Sequence, residues 1–432
     1  ARMNTGDVLA LRTAARQVYY VIVLARSTNE CNVELAILPA LFLEPYFSFT
    51  ATPYAKPSGD ISFVPAGSGL NTILWDFDGD SLWDTTTTGI SSFARVYDST
   101  ATHAVNAAAV TIYGDTLRDS ATIRIYTAGE KIISAPTTWT AANSPYFIDG
   151  AIVVEAGATL TVEPGVEAFS PDSQTIRVRG AVDAVGTSED SIRFTNCRLS
   201  FEGTDTQNSF SAVDSSYAHG SRLSYCALRN AAIHLEESDA PYLTTSSIPY
   251  LSTSGYTHTG LFVDSCRIGG IGGNASYRTT ALGAEASVLR NSYVDSCLIS
   301  FRGGATISKC SIGRLGLTSG GEQAIVENNT IGSLYWDGPT TSWVTGSGPR
   351  CSYNNLGLTG DSPVLKLGQG NPAYSLNAGY NYWGAATTAE MEKKGAGANI
   401  SAIQDYYDDF DLVKVRYDNW LTQELSDAGP DW

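Results

Sequence analysis

The chain is poor in charge: Asp, Glu, Lys and Arg make up only 16% of its 432 residues. Basic residues are the scarcer kind, 27 against 44 acidic ones, for a formal net charge of −17. Such a surface repels nucleic acid and anionic membrane, so neither is expected as a partner. Long apolar runs are absent too. The most apolar stretch, VYYVIVLA at residues 18–25, is strand-length and far short of the ~20 residues that span a bilayer, so no transmembrane segment is expected. The seven cysteines form no CxxC pair and no Cys/His cluster, which argues against zinc. The four histidines, His103, His219, His234 and His258, are scattered, and no G-x-S-x-G elbow occurs. The chain opens on Ala with no signal peptide, and so reads as a processed product, in keeping with export.

What fills the chain instead is Gly, Ser, Thr, Ala, Val and Ile, a composition of strands and turns. Residues 1–45 hold two apolar runs, QVYYVIVLAR and VELAILPALFLE, joined by the polar STNECN. They read as strands of a hairpin. A lone hairpin is marginal in water, so this segment either completes the neighbouring domain or pairs with another copy of the chain by strand addition. Residues 46–127 carry short alternating bursts (FSFTATP, ILWDFDGD, SSFARVYD, AVNAAAVTIYG, DSATIRIYT), the texture of a β-sandwich.

Within that region, WDFDGDSLWD sets Asp76, Asp78, Asp80 and Asp84 at relative positions 1, 3, 5 and 9, the carboxylate spacing of an EF-hand calcium loop. Position 6 is Ser81 and not Gly, and position 12 is Thr87 and not Glu. WDFDGD, the Tyr-containing strand after it and the closing DSATIRIYT resemble a polycystic-kidney-disease (PKD) domain. That is an immunoglobulin-like, usually non-catalytic module of extracellular proteins. The order D-F-D-G-D departs from the family's commoner D-F-G-D-G. The resemblance implies that Trp75 and Phe77 anchor a strand in the sandwich core, with the aspartates in the turn that follows. Calcium held by Asp76, Asp78, Asp80 and Asp84 would stiffen that turn and catalyse nothing.

From about residue 138 the texture becomes short strands punctuated by glycine, and an internal repeat emerges. Aligned on Cys or Asn, the segments RFTNCRL, RLSYCAL, FVDSCRI, YVDSCLI, TISKCSI, IVENNTI and CSYNNLG give the column Cys197, Cys226, Cys266, Cys297, Cys310, Asn329 and Asn354. The positions three before and two after are apolar in every segment, as in a solenoid whose coils stack aliphatic residues inward and a small residue at each corner. The 13 residues between Cys297 and Cys310 are too few for a full coil, so these two are expected on different faces of one coil. The cysteines are expected to be buried thiols, with disulfides between successive coils as the alternative. Cys31 lies outside the column.

GATLTVEPGV, and NYWGAATTAEM with ISAIQDYYDDFDLVKVRYDNWL, resemble the first and the closing coils of right-handed parallel β-helices of the secreted bacterial type. The resemblance spans about residues 138–422, leaving 423–432 as a tail. The fold class expected is therefore all-β: an immunoglobulin-like β-sandwich plus a right-handed parallel β-helix solenoid.

Two features invite chemistry. Asp264, Asp295 and Glu327 stand two positions before column residues and are expected to form a solvent-facing acidic stripe, interrupted at Ser308, with Arg267 and Arg302 nearby. The β-helix resemblance makes such a stripe the weak candidate for a lyase site, since some β-helix lyases hold calcium on carboxylates of neighbouring coils and use Arg or Lys as base. Tyr335, Trp336 and Trp343 are candidates to stack on sugar rings. The function expected is an extracellular structural or adhesive surface protein that self-assembles through its N-terminal strands or solenoid ends. The alternatives are a polysaccharide lyase or hydrolase, and a non-catalytic glycan-binding protein.

Overall fold

The computed structural model describes residues 44–128, 131–202, 209–211, 213–236, 240–254, 260–272, 287–301, 305–317, 324–336, 349–357, 364–368 and 375–432. It also gives the backbone of 8–12, 18–25, 33–39 and 281–282. The chain divides into two compact units, residues 1–125 and 126–432. Cys31, Arg302 and Trp343 lie outside the described residues.

The first unit begins with an antiparallel three-stranded sheet, in the order β1 (Val8–Arg12), β2 (Val18–Ala25), β3 (Val33–Pro39). The predicted hairpin is thus β2 with β3, in the register Tyr20↔Leu38 and Ile22↔Ala36, extended by a third strand. Next comes the sandwich. One sheet holds Tyr46–Ala51, Asp60–Ser68 and Phe93–Val96; the other is built on Leu70–Asp76, Ala101–Thr111 and Thr116–Ile125. Alternation decides which side chains go inside. Along Asp60–Ser68, Ile61 and Phe63 are buried while their neighbours face out. Phe49, Phe63, Trp75, Phe77 and Phe93 meet edge-on or stacked, with the Trp75 and Phe77 rings 5.7 Å apart and nearly parallel. The Trp75 indole N–H donates to Thr87 Oγ1 at 2.9 Å, so a fully buried Trp leaves no polar atom unpaired.

The second unit is a parallel β-helix. Its coils feed two parallel sheets, one of 12 and one of 19 strands. In the smaller sheet one inward column runs Trp139↔Val162↔Ala184↔Leu223↔Leu243↔Val263↔Leu289↔Ile307↔Val326↔Cys351. In the larger sheet another runs Ile176↔Leu199↔Ile233↔Leu251↔Ile271↔Cys297↔Leu315↔Leu334↔Leu365↔Ile403. Every member of both columns is buried. Each such side chain contributes about 1.5–3 kcal/mol on burial, so the stacked core is the main favourable term of this unit. Its first parallel pairing, Thr127–Ala128 with Tyr146–Phe147, comes before the texture change at residue 138. Strands of two residues carry no alternation from which to read them.

The one α-helix among the described residues, Ala385–Lys394, buries Thr388 and Met391 and is flanked by Gly384 and Gly395 at positive φ. It follows Trp383, which is fully buried in the same core. No helix among the described residues is long and apolar enough to cross a membrane.

Residues 421–432, of which 423–432 were expected as a tail, instead run back along the solenoid as a strap across five coils. Leu421 N–H donates to the Asn381 carbonyl, and Asn355 brackets Leu425, accepting its N–H and donating to its carbonyl at 2.9 Å each. Gly429 N–H reaches the Asn328 carbonyl, and Asp431 pairs with Lys309 at 2.8 Å. Trp432 donates its indole N–H to the Asn291 carbonyl and meets the Tyr293 ring edge-on at 5.2 Å. Deleting residues 421–432 should cost the solenoid about 2–4 kcal/mol, a few net hydrogen bonds' worth. It should also speed amide exchange at the corners from Asn291 to Asn381 and leave the coils of Leu160–Val185 untouched. An exchange map identical to that of the full chain would rule out a clamping role.

Candidate functional site

The corner between the two sheets is the most constrained feature of the second unit. Tyr225, Thr245, Ser265, Asn291, Lys309, Asn328, Tyr353 and Tyr380 all adopt positive φ there, between 46° and 60°. That conformation costs a non-glycine residue roughly 1–2 kcal/mol. The next residue in each coil offsets the cost. These residues form the row Cys226, Ser246, Cys266, Ser292, Cys310, Asn329, Asn354 and Asn381, all buried.

From Ser246 onward, each side chain in the row accepts the backbone N–H of the row residue one coil earlier. Cys226 N–H donates to Ser246 Oγ at 3.0 Å, Ser246 N–H to the Cys266 sulfur, Cys266 N–H to Ser292 Oγ at 3.0 Å and Ser292 N–H to the Cys310 sulfur. Cys310 N–H then donates to Asn329 Oδ1, Asn329 N–H to Asn354 Oδ1 and Asn354 N–H to Asn381 Oδ1, at 2.8–2.9 Å. Most of these side chains also donate to the carbonyl two residues back in their own coil: Ser246 to Thr244, Cys266 to Asp264, Ser292 to Arg290, Cys310 to Ser308, Asn329 to Glu327 and Asn354 to Ser352. Thiol, hydroxyl and carboxamide do the same work because each supplies at least one donor and one acceptor.

This row keeps five of the seven residues aligned from sequence and removes two. Cys297 sits in the aliphatic column between Ile271 and Leu315, where an inward sheet position calls for a hydrophobe. Cys197 follows a different positive-φ corner, at Asn196, whose side chain accepts from Asn230 in the next coil. Ser246, Ser292 and Asn381 were missed. The signal was present: Leu243 and Ile248, Leu289 and Val294, Ala378 and Trp383 flank them at the same offsets, and all are buried. Admitting serine as a corner residue would have found the first two.

The row also settles the redox question for its cysteines. Cys and Ser alternate, so neighbouring thiols lie two coils, roughly 10 Å, apart, beyond disulfide reach. Cys197, Cys226, Cys266, Cys297, Cys310 and Cys351 are all free and buried. Burial pushes the thiols of Cys226, Cys266 and Cys310 up to about 12 and raises that of Cys297 as well, so they are neutral donors and not nucleophiles.

The acidic stripe does not assemble. Asp264 is engaged by Arg290 of the next coil at 2.8 Å, and Glu327 by Arg350 at 2.9 Å. Asp295 stands three residues after Ser292 and not two before a row residue, so it lies exposed in the larger sheet, away from the other two. Arg267 covers the Tyr293 ring at 5.2 Å. These partly exposed pairs staple one coil to the next, each worth about 0–1 kcal/mol.

In the sandwich, the aspartates close their own turn. Asp76, buried at the end of its strand, accepts from Gly79 N–H at 2.7 Å, Asn106 Nδ2 at 3.0 Å and Ser81 N–H at 3.2 Å. Burial opposes its ionisation, but these donors together hold its carboxyl below the usual carboxylate range. Asp84 accepts from Phe77 N–H at 2.7 Å. Carboxylate oxygens of Asp76, Asp78 and Asp84 lie within 4.8 Å of one another, an all-oxygen donor set suited to a hard cation. Asp80 is outside that trio, and its carboxylate caps Leu82 N–H at 2.7 Å.

Of the three aromatics singled out for sugars, Trp336 is fully buried in the solenoid core and Tyr335 is half-buried on the outer face of the larger sheet. No family model matches the chain, and no curated protein is similar enough to match it.

The row makes a graded prediction. Cys266→Ser should be nearly neutral, because the hydroxyl donates and accepts as the thiol does. Cys266→Ala should cost about 1–3 kcal/mol by leaving Ser246 N–H buried without an acceptor, and Asn354→Ala should cost more, since it orphans Asn329 N–H and two carbonyls. Thermal melts rank the three; equal melting of the serine and alanine variants would show that the side chain only fills space.

Proposed function

We propose that the protein is an extracellular structural or adhesive component that assembles with copies of itself through its N-terminal sheet. The observation that carries this reading is the β1–β2–β3 sheet, which pairs with no other described strand. Strand β2 is apolar at all eight positions, VYYVIVLA. A strand apolar at both parities asks for cover on both faces, and the outer edges of β1 and β3 are templates for a further strand. A second copy supplies both through strand addition. The buried, neutral thiols and the coil-to-coil ion pairs support a scaffold role for the solenoid.

On this reading the sandwich is PKD-like, supported by the Trp75–Asp76–Phe77 strand end and the aspartate turn after it. Calcium held by Asp76, Asp78 and Asp84 stiffens that turn.

Two experiments test these proposals. Negative-stain microscopy and light scattering should show oligomers or filaments of the full chain and monomers after deletion of residues 1–30. Assembly that survives the deletion, or a full chain monomeric at high concentration, refutes the N-terminal linkage. For calcium, millimolar CaCl2 should raise the sandwich melting transition by a few degrees, and EGTA or Asp84→Asn should abolish the gain. A transition indifferent to calcium would dismiss the ion.

A further inference from the structure

Two neighbouring strands of the larger sheet, Ala232–Glu236 and Ser247–Ser254, set one histidine against two serines. His234 is in register with Ser252, and Ser254 follows two residues on with the same outward parity. Ser252 Oγ stands 2.8 Å from the imidazole Nδ1, and Ser254 Oγ 3.1 Å from Nε2. All three side chains are half-buried. The hydrogen bonds assign the tautomer. Ser252 gives its single hydroxyl proton to the Ile233 carbonyl, at 3.4 Å, so it accepts at the imidazole. Nδ1 therefore carries the proton, and the Nε2 lone pair takes the hydroxyl proton of Ser254.

Burial, and after it the charge of Arg198, holds the His234 imidazole below the ordinary histidine value, against the opposing pull of Glu236 and Glu202. At neutral pH the ring is an uncharged base within reach of a hydroxyl, oriented by a third group. Space for a substrate lies beside it. A cavity of about 410 Å³ is lined by Arg198, Ala231, Ala232, Pro249, Asn196 and Asn230. Ala232 stands two residues before His234 with the same outward parity, and Arg198 is its register partner one coil earlier. One coil beyond Ser252 the register partner is Gly272, which adds no side chain to the row.

We propose that Ser254 is a nucleophile activated by His234, in a site that cleaves short-chain carboxylic esters. The Ser254 oxygen attacks the ester carbonyl carbon while its proton passes to His234 Nε2. The carbon–oxygen bond to the alcohol then breaks, and the alcohol leaves with that proton. Water repeats the sequence on the acyl-serine, which releases the acid and restores the hydroxyl. Arg198 meets the negative charge on the carbonyl oxygen, and Ala231, Ala232 and Pro249 suit a short acyl chain. Esters are the substrate class, and not amides, because the backbone N–H groups of these strands serve the sheet and one cation must serve the oxyanion. Ser252 touches only the imidazole and is a positioning residue. This activity is additional to the adhesive reading and does not rest on it.

A fluorophosphonate probe on the full chain should phosphonylate Ser254 with loss of fluoride, and peptide mapping should find the label there. p-Nitrophenyl acetate should turn over with a burst of about one nitrophenolate per chain. Ser254→Ala should abolish both reactions, and His234→Gln should slow both about 100-fold or more. The wild-type rate should rise with pH as the imidazole loses its proton and level off by about pH 7, a limb that His234→Gln lacks. Ser252→Ala should lower kcat and leave KM in place, and Ser252→Thr should restore it. The position of the label on the wild-type chain tests the site whatever the variants do to folding. A label on another residue, no label at millimolar probe, or hydrolysis by Ser254→Ala at the wild-type rate overturns the site.

Discussion

The solenoid depends on one repeated exchange at its corner, in which the residue after a left-handed backbone turn accepts the N–H of the coil before it. A parallel sheet ends cleanly only if the backbone groups at the bend find partners. At this bend the ladder hydrogen bonds stop on one sheet and have not begun on the next. Cys226, Ser246, Cys266, Ser292, Cys310, Asn329, Asn354 and Asn381 fill that gap with side chains. Because each of them reaches one coil back, the row also fixes the vertical register, and the aliphatic columns on either side follow from it. The strap of residues 421–432 follows the same line, docking on Asn291, Asn328 and Asn355.

The row explains how one structural position tolerates three chemistries. Toward the end of the solenoid it is asparagine in three successive coils; earlier it alternates cysteine and serine. A carboxamide reaches two carbonyls with its two protons, as Asn329 does with Glu327 and Ile307. Serine reaches one, and cysteine one at normal distance with at most a second, longer contact. The asparagine coils are therefore the better satisfied. They also carry strap contacts, at Asn328, Asn355 and Asn381, and they precede the Ala385–Lys394 helix, where the regular stack gives way to an irregular end.

Much of this was legible in the sequence, because a solenoid turns spatial neighbours into a repeat. Aliphatic flanks at offsets −3 and +2 were enough to find the core columns and five row residues. The two misplacements share a cause. Cys197 and Cys297 were aligned by residue type, yet a buried cysteine fits an aliphatic column or a second corner as well as it fits the row. The flanks of Ser246 and Ser292 were correct, but serine carried no distinctive label. The acidic stripe failed for a related reason: Asp295 shares its neighbours' sequence motif and not their corner. The pairing of Asp264 with Arg290 and of Glu327 with Arg350 crosses coils separated by loops of irregular length, so no fixed spacing announces it. The sandwich was easier, since Trp75 and Phe77 stand two residues apart and so share one side of their strand, where they meet Phe63 of the opposite sheet.

The two outer faces of the solenoid obey different rules. On the smaller sheet the outer row is covered and neutralised: Tyr242 and Phe262 stack at 4.4 Å, Phe210 folds over Phe262, and Arg290 lies over the same ring while holding Asp264. That face is structural on both sides, with its aromatic and charged side chains consumed by their neighbours. On the larger sheet small residues recur in the outer rows, at Gly270, Gly272, Ser296, Gly316 and Ser333, while ion pairs on that sheet gather nearer its start, where Arg177 and Arg179 hold Glu202. A sheet does not need bare glycine on a solvent face, where it weakens the strand and leaves the backbone uncovered. Its recurrence leaves this stretch of the larger sheet low, in contrast with the aromatic cover on the smaller sheet. The corner row holds both faces in one register, since its side chains tie each coil to the one before it and do not let the coils slip.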